Sequence, residues 1–252
     1  MDIKINWQSK TGNRTDDNRD YAGVGIRDDA ALYIVMDGST SGQESGALAR
    51  QVTQKMIDWY TASEEKETAE TLTDRLRQIH EETAKQYPLA SASFAMVHIE
   101  AAGPAIILHA GDCLVGMYND TSSIQWLTQP HTLANATAEI PVEQIAHIQA
   151  RHILTRSFRA KEFMPPHVIK MSFERGSILV LATDGFWADI PPSEQVKVLN
   201  SDDMAIPDGG DDRSILRIHL PGGNQGIGMR CPQAPISNLY MKTSTRAKRS
   251  AK

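Results

Sequence analysis

The chain has 252 residues, 40% of them hydrophobic and 23% charged, and a net charge of −5. That composition belongs to a globular protein with a sizeable core, and it offers no basic footprint for nucleic acid. Two cysteines, Cys113 and Cys231, lack the spacing of a disulfide framework or a zinc site, which points to a reducing, cytoplasmic setting. The opening "MDIKINWQSK" has no apolar signal-peptide core, and no stretch approaches the ~20 apolar residues that span a bilayer.

In chain order, "LYIVMDGSTSG" (32–42) reads as a strand that runs straight into an aspartate, a glycine and a cluster of hydroxyls. Leu48, Val52, Met56 and Trp59 then fall on one helical face, and Ala69, Leu72, Leu76, Ile79 and Thr83 on another. Both stripes are expected to be core, with the polar "TASEEKE" between them as a helix–helix connection. The stretch from Ala92 to Leu127 is rich in β-formers and broken by Gly-Pro, Gly-Asp and Asn-Asp signals, so it is expected to form successive antiparallel hairpins. Asp112 would sit at the tip of a two-residue Gly-Asp hairpin. A short helix is expected near 142–157, strands at "HVIKMSF" and "SILVLATDG", a short helix at "PSEQVKVLN", and a last strand at "SILRIHL".

After Leu220 the chain is rich in Gly and Pro, carries no acidic residue, and gathers basic residues at its end. The domain is therefore placed at 1–220, and 221–252 is read as a basic, loosely ordered tail. Helices pair with helices and antiparallel strands with strands, so the fold class is α+β, a layered sandwich rather than a doubly wound sheet.

Carboxylates mark three strand ends. Asp37 and Asp184 follow apolar strands, and Asp211 and Asp212 precede one. If the last strand runs antiparallel to the others, these groups converge on one edge, and Asp112 can join them. Packed carboxylates repel unless a cation neutralises them, and an all-oxygen set favours Mg²⁺ or Mn²⁺. The glycines after Asp37 and Asp184 would leave room for backbone carbonyls and water near the ion. The acidic stretch Asp202–Asp212 lacks the spacing of an EF-hand.

Across residues 9–219 the chain resembles the metal-dependent 2C-type serine/threonine phosphatases, the PPM family, in their short bacterial form. "VMDGSTSG" is similar to the family's strand-Asp-Gly-x-Gly-Gly motif, "ASFAMVHI" to its small-residue strand, and "HAGDCLVGMY" to its Gly-Asp-Ser segment. "LTQPHT" resembles the Leu-Thr-x-Asp-His segment, with Pro130 at the usual aspartate, and "HILTRSF" the Asn-x-Leu-Thr-Arg stretch. "LVLATDGFWADI" is similar to the Ser/Thr-Asp-Gly-Leu-Trp-Asp motif, and "DDRSILRI" to the terminal Asp-Asn-x-Thr strand.

The resemblance implies a four-layer αββα sandwich, two antiparallel sheets flanked by antiparallel helix pairs. It implies two tightly bound Mn²⁺ or Mg²⁺ ions and a weaker third position. Asp37 would bridge the pair, the Gly38 carbonyl would hold one ion, Asp184 and Asp211 the other, and Asp112 the third. A metal-activated water would hydrolyse phosphoserine or phosphothreonine in a protein substrate, with Asp37, Asp184 and Arg14 as catalytic residues. Implied partners are phosphoproteins and a cognate serine/threonine kinase, with no nucleic acid or membrane, and the protein is expected to be a monomer.

Some residues depart from the family pattern. Asn18-Arg19-Asp20 stands where Asn-Glu-Asp or Asn-Gln-Asp is usual, which puts a cation at the position that orients water. Arg14 sits one residue early for the phosphate arginine, and Arg19 is the alternative substrate contact. Two other readings stand beside this one. A catalytically weak, phosphoprotein-binding module is suggested by Arg19. A serine-type α/β-hydrolase is suggested by "GSTSG" (38–42), although Thr40 takes the nucleophile's place. His98 and His109 are expected to be structural, and His131 and His152 show no ligand spacing.

Overall fold

The computed structural model describes residues 2–101, 103–120, 122–174, 176–201, 204–220, 228–230 and 237–244. Two six-strand runs face each other. The first sheet has the order β12 (Gly228–Arg230), β1 (Asp2–Lys10), β11 (Arg213–His219), β10 (Ile178–Ala182), β6 (Leu114–Tyr118), β7 (Gln125–Trp126). The second has the order β13 (Leu239–Thr243), β2 (Asp20–Ile26), β3 (Ala30–Gly38), β4 (Ser91–Glu100), β5 (Ala105–Ala110), β9 (His167–Met171), with β8 (Phe158–Arg159) added on β4.

Alternation sorts the side chains of each strand. Leu32, Ile34 and Met36 of β3 point to one core slab, while Tyr33 and Val35 point to the slab between the sheets. There they meet Val115, Leu179, Leu181, Leu216 and Ile218 of the first sheet. The outer face of the second sheet is covered by α1 (Ser45–Ala62) and α2 (Ala69–Thr83). Leu48, Val52, Met56 and Tyr60 bury α1, and Trp59 lies at the slab's margin rather than on the stripe. Thr68 caps α2 in a reciprocal bond pair with Thr71. The outer face of the first sheet is covered by α4 (Asp184–Trp187) and α5 (Pro192–Asn200), through Phe186, Val198 and Leu199.

Several expectations are corrected. The sheets are not purely antiparallel, because β12 pairs parallel with β1 and β13 parallel with β2. Among the described residues helix cover is unequal: a long pair lies on one sheet and short helices on the other. The 142–157 helix is reduced to α3 (Val142–Ile145) and a 3₁₀ turn at Gln149–His152. Two pieces of the supposed loose tail are strands, and Tyr240 and Lys242 of β13 both donate to Asp58 of α1. The rest of 221–252 lies outside the described residues, as does Cys231. Most importantly, β5 and β6 do not form a hairpin. Gly111-Asp112 carries the chain from the second sheet to the first, with Gly111 at φ +102°. Among the described residues no helix is long and apolar enough to cross a membrane.

Candidate functional site

The acidic strand ends meet at one edge of the sandwich. Asp37, at the end of β3, pairs in register with Asp20, the first residue of β2. Asp184 opens α4 directly after β10, and Asp211 lies just before β11. Because β10 and β11 are antiparallel, the end of one lies beside the start of the other. Asp112 reaches the same place from the crossing turn. A cleft is lined by Arg14, Asp37, Asp112, His152, Asp184 and Asp211, with the hydroxyls of Ser39, Thr40, Ser41 and Ser93.

Two glycines are required here by close backbone approach. A Cβ on Gly38 would lie 2.6 Å from the Ser45 backbone, and one on Gly185 would lie 2.0 Å from the Asp212 carbonyl oxygen. These glycines bring β3 against the start of α1, and α4 against the start of β11. That packing by itself accounts for their identity.

The electrostatics are those of crowded acids. Burial first, then the charges of Asp20, Asp184, Asp112 and Asp211, raise the Asp37 carboxyl well above its usual range. Asp20, fully buried, is raised in the same way. Burial and the Asp184 charge push Asp112 up to about 7 and Asp211 up to about 6. Asp112 accepts a 2.5 Å hydrogen bond from Ser93 Oγ, which occupies one carboxylate oxygen. Trp187 Nε1 donates to the Asp112 carbonyl at 2.7 Å and fixes the turn.

Two arginines already touch this acid ring. Arg14 Nη1 donates to Asp211 at 2.5 Å. Arg151 spans Asp184 and Asp189, each at 2.8 Å. Arg14 lies on an irregular loop, so strand alternation does not decide where it points. The loop is held by Asp212, which accepts from the backbone N–H groups of Gly12 (2.8 Å) and Arg19 (2.7 Å). Arg19 is turned away from the cleft. Its guanidinium donates to the carbonyls of Ser39, Thr40 and Gly42 and pairs with Asp17. It therefore braces the loop after Asp37 and is not among the residues that line the cleft.

The sequence reading overlooked two residues. Asp20 opens β2 much as Asp211 and Asp212 stand just before β11, and that repeated pattern is the signal that could have found it within Asn18-Arg19-Asp20. Thr183 Oγ1 donates to its Oδ2 at 3.0 Å across the two sheets, while Oδ1 is buried without a hydrogen-bond partner among the described residues. Arg151 comes from a 3₁₀ turn with no recognisable motif. The α/β-hydrolase alternative fails, because β3 lies between two antiparallel neighbours and Thr40 sits exposed in a loop.

An all-oxygen set with an orphaned buried carboxylate oxygen fits hard divalent cations. Comparison with known proteins agrees with the fold and identifies the family. Residues 10–204 match the family "Protein phosphatase 2C". The chain is 25% identical over 212 residues to protein phosphatase PhpP of Streptococcus pneumoniae, covering 79% of this chain and 85% of that one. Serine/threonine phosphatase Stp1 from Staphylococcus aureus superposes with a TM-score of 0.70 at 17% identity, over 88% of this chain and 98% of that one. The catalytic domain of serine/threonine phosphatase PstP, solved in complex with two manganese ions, superposes with a TM-score of 0.65 at 16% identity, over 87% and 98%. With most of its length matched and its acidic strand ends gathered in one cleft, the chain belongs to the protein phosphatase 2C family of serine/threonine phosphatases.

Proposed function

We propose that the cleft is a metal-dependent phosphatase site that hydrolyses phosphoserine and phosphothreonine in proteins. The observation that carries this reading is the meeting of Asp20, Asp37, Asp112, Asp184 and Asp211, drawn from five separate places in the chain. Asp37, the Gly38 carbonyl, Asp184 and Asp211 are the proposed ligands of two Mn²⁺ or Mg²⁺ ions, with Asp20 supporting Asp37 from behind. Bound there, such ions would supply Lewis-acid charge for phosphoryl oxygens and acidify water. Arg14, at the mouth, orients the phosphate, and the Ser39–Ser41 hydroxyls line its approach. Arg19, whose position suggested a weak binding module, supports the loop instead. A phosphoprotein phosphatase presupposes a serine/threonine kinase, and we place both in the cytoplasm, with the phosphatase acting as a monomer. The test is hydrolysis of p-nitrophenyl phosphate and of a phosphothreonine peptide with Mn²⁺ and after chelation. Turnover that survives complete chelation would overturn the reading.

Asp112 is assigned to a third, looser ion, because Ser93 already occupies one of its oxygens. Asp112→Ala is expected to reduce turnover while elemental analysis still finds two ions per chain. Loss of the tightly bound pair would refute the division.

The acids also set a pH signature for the metal-free protein. Raised carboxyl pKa values stabilise the fold below the unfolded value of about 4, and that contribution is lost as pH rises through the folded values. These are about 7 for Asp112 and about 6 for Asp211, with Asp20 and Asp37 also raised. Buried His98 and His131 near 4 and His109 near 2 act oppositely, losing stability as pH falls below about 6.5. The two sets oppose each other in mild acid, and the carboxylates alone act above it. With chelator, Tm is expected to fall from pH 7.5, where the unfolded histidines have lost their protons, to pH 8.5, and saturating Mn²⁺ should remove the fall. A chelated Tm that rises across that interval would contradict the acid ring.

A further inference from the structure

His109, His131 and His167 lie together beside the crossing turn, yet they are far apart in sequence. His109 of β5 and His167 of β9 are directly opposed across the antiparallel pair. His131 comes from the loop that follows β7, and its ring stacks on that of His109 with centroids 4.4 Å apart. Each ring offers a nitrogen within 4.8 Å of nitrogens on the other two. His109 is fully buried, and neither of its ring nitrogens has a hydrogen-bond partner among the described residues. A polar ring buried without partners is costly unless something else satisfies it. His131 is half-buried and His167 exposed, so the cluster opens to solvent on one side.

We propose that these three histidines form a second metal site, separate from the carboxylate cleft, for a borderline divalent ion of the Zn²⁺ class. Neutral imidazoles suit zinc, copper or nickel and not Mg²⁺ or Ca²⁺, whereas the five aspartates of the cleft offer oxygen. Three histidines leave a fourth position for water at the open side, as zinc accepts. Burial holds His109 and His131 well below the usual histidine range, so both rings are neutral at pH 7 with no proton to displace. Tetrahedral coordination brings nitrogens to about 3.3 Å from one another. The exposed His167 and the loop-borne His131 are the rings that must close on His109. The Glu67–His98–Glu100 group is a poorer candidate, because Arg27 already pairs with Glu67 at 2.5 Å.

Occupancy would reach the phosphatase cleft through one hydrogen bond. Gly111 N–H donates to His131 Nδ1 at 3.2 Å, and Gly111 precedes Asp112. An ion taken by Nδ1 displaces that N–H. An ion taken by Nε2 moves the ring proton to Nδ1, which can no longer accept. Either way the turn that carries Asp112 loses a support. This consequence concerns geometry and does not depend on the role proposed for Asp112.

The experiment is equilibrium dialysis of the Mn²⁺-saturated full chain against Zn²⁺, for the wild type and for His167→Ala. His167 is exposed, so its replacement leaves the core intact. One retained Zn²⁺ per wild-type chain is expected, bound at least tenfold more weakly by His167→Ala, with the Mn²⁺ content equal in both. Zinc should also speed hydrogen exchange at the Gly111 amide in the wild type alone. Equal zinc retention by both proteins, no retention, or one-for-one displacement of Mn²⁺ would each overturn the proposal. None of these readouts uses catalysis, so they stand apart from the test of phosphatase activity.

Discussion

Replacing Asp184 by Asn is expected to lower turnover roughly a thousandfold and at the same time raise the stability of the metal-free protein. The two effects share one cause. Asp184 is among the charges that raise Asp20, Asp37, Asp112 and Asp211, so it lies electrically at the centre of the ring. Without an ion, each added negative charge there opposes folding. An amide of the same shape removes that repulsion and can still accept from Arg151, which keeps Asp189 as its second partner. With an ion, the same charge is a ligand. Loss of Lewis-acid stabilisation worth about 4 kcal/mol corresponds to roughly a thousandfold in rate. The checks are kcat with saturating Mn²⁺, metal content, and Tm in chelator. A variant with wild-type kcat in chelator, or one whose chelated Tm falls sharply, would refute the assignment of Asp184 as a ligand.

The site was readable where charge interrupts an apolar run. Asp37, Asp184 and Asp211 each break a strand pattern, and that local signal survives without knowledge of neighbours. Asp20 breaks the pattern equally, but Asp16, Asp17, Asn18 and Arg19 before it make a polar stretch in which one more acid does not stand out. The Gly111-Asp112 turn was misread for a related reason. A tight turn between two apolar runs has the same sequence whether the second strand returns to its own sheet or crosses to another. The choice is settled by partners distant in sequence, β9 for β5 and β10 for β6. The parallel edge strands near the C-terminus are only three and five residues long, too short for periodicity to find them. The histidine cluster was hidden altogether, since only the register of β5 against β9 places His167 beside His109.

The two arginines, which local sequence leaves as alternatives, lead to the second large effect. Arg14→Ala is expected to lower kcat/KM ten- to a hundredfold with little change in Tm, and Arg19→Ala to lower Tm. Arg14 is partly exposed at the cleft mouth and rests on Asp211 at 2.5 Å. If Asp211 turns to an ion, the guanidinium is freed to hold a phosphate oxygen in a planar, two-point contact that lysine cannot reproduce. Losing one charge-assisted contact costs on the order of 1.5–3 kcal/mol, which gives the tenfold to hundredfold range. Arg19 is nearly buried and bonded to three backbone carbonyls of the loop after Asp37. Removing it leaves those acceptors without their donor, at a cost of roughly 1–3 kcal/mol of stability. Arg14→Lys separates charge from geometry: a charge-only role predicts full rescue, a two-point contact only partial rescue. Paired kinetics and melting curves on the three variants decide the matter. If Arg19→Ala melts like the wild type but loses most of its kcat/KM while Arg14→Ala is unaffected, the phosphate contact is Arg19. If neither variant loses activity, the cation facing the phosphate is Arg151, and its bond to Asp184 is the one that must open.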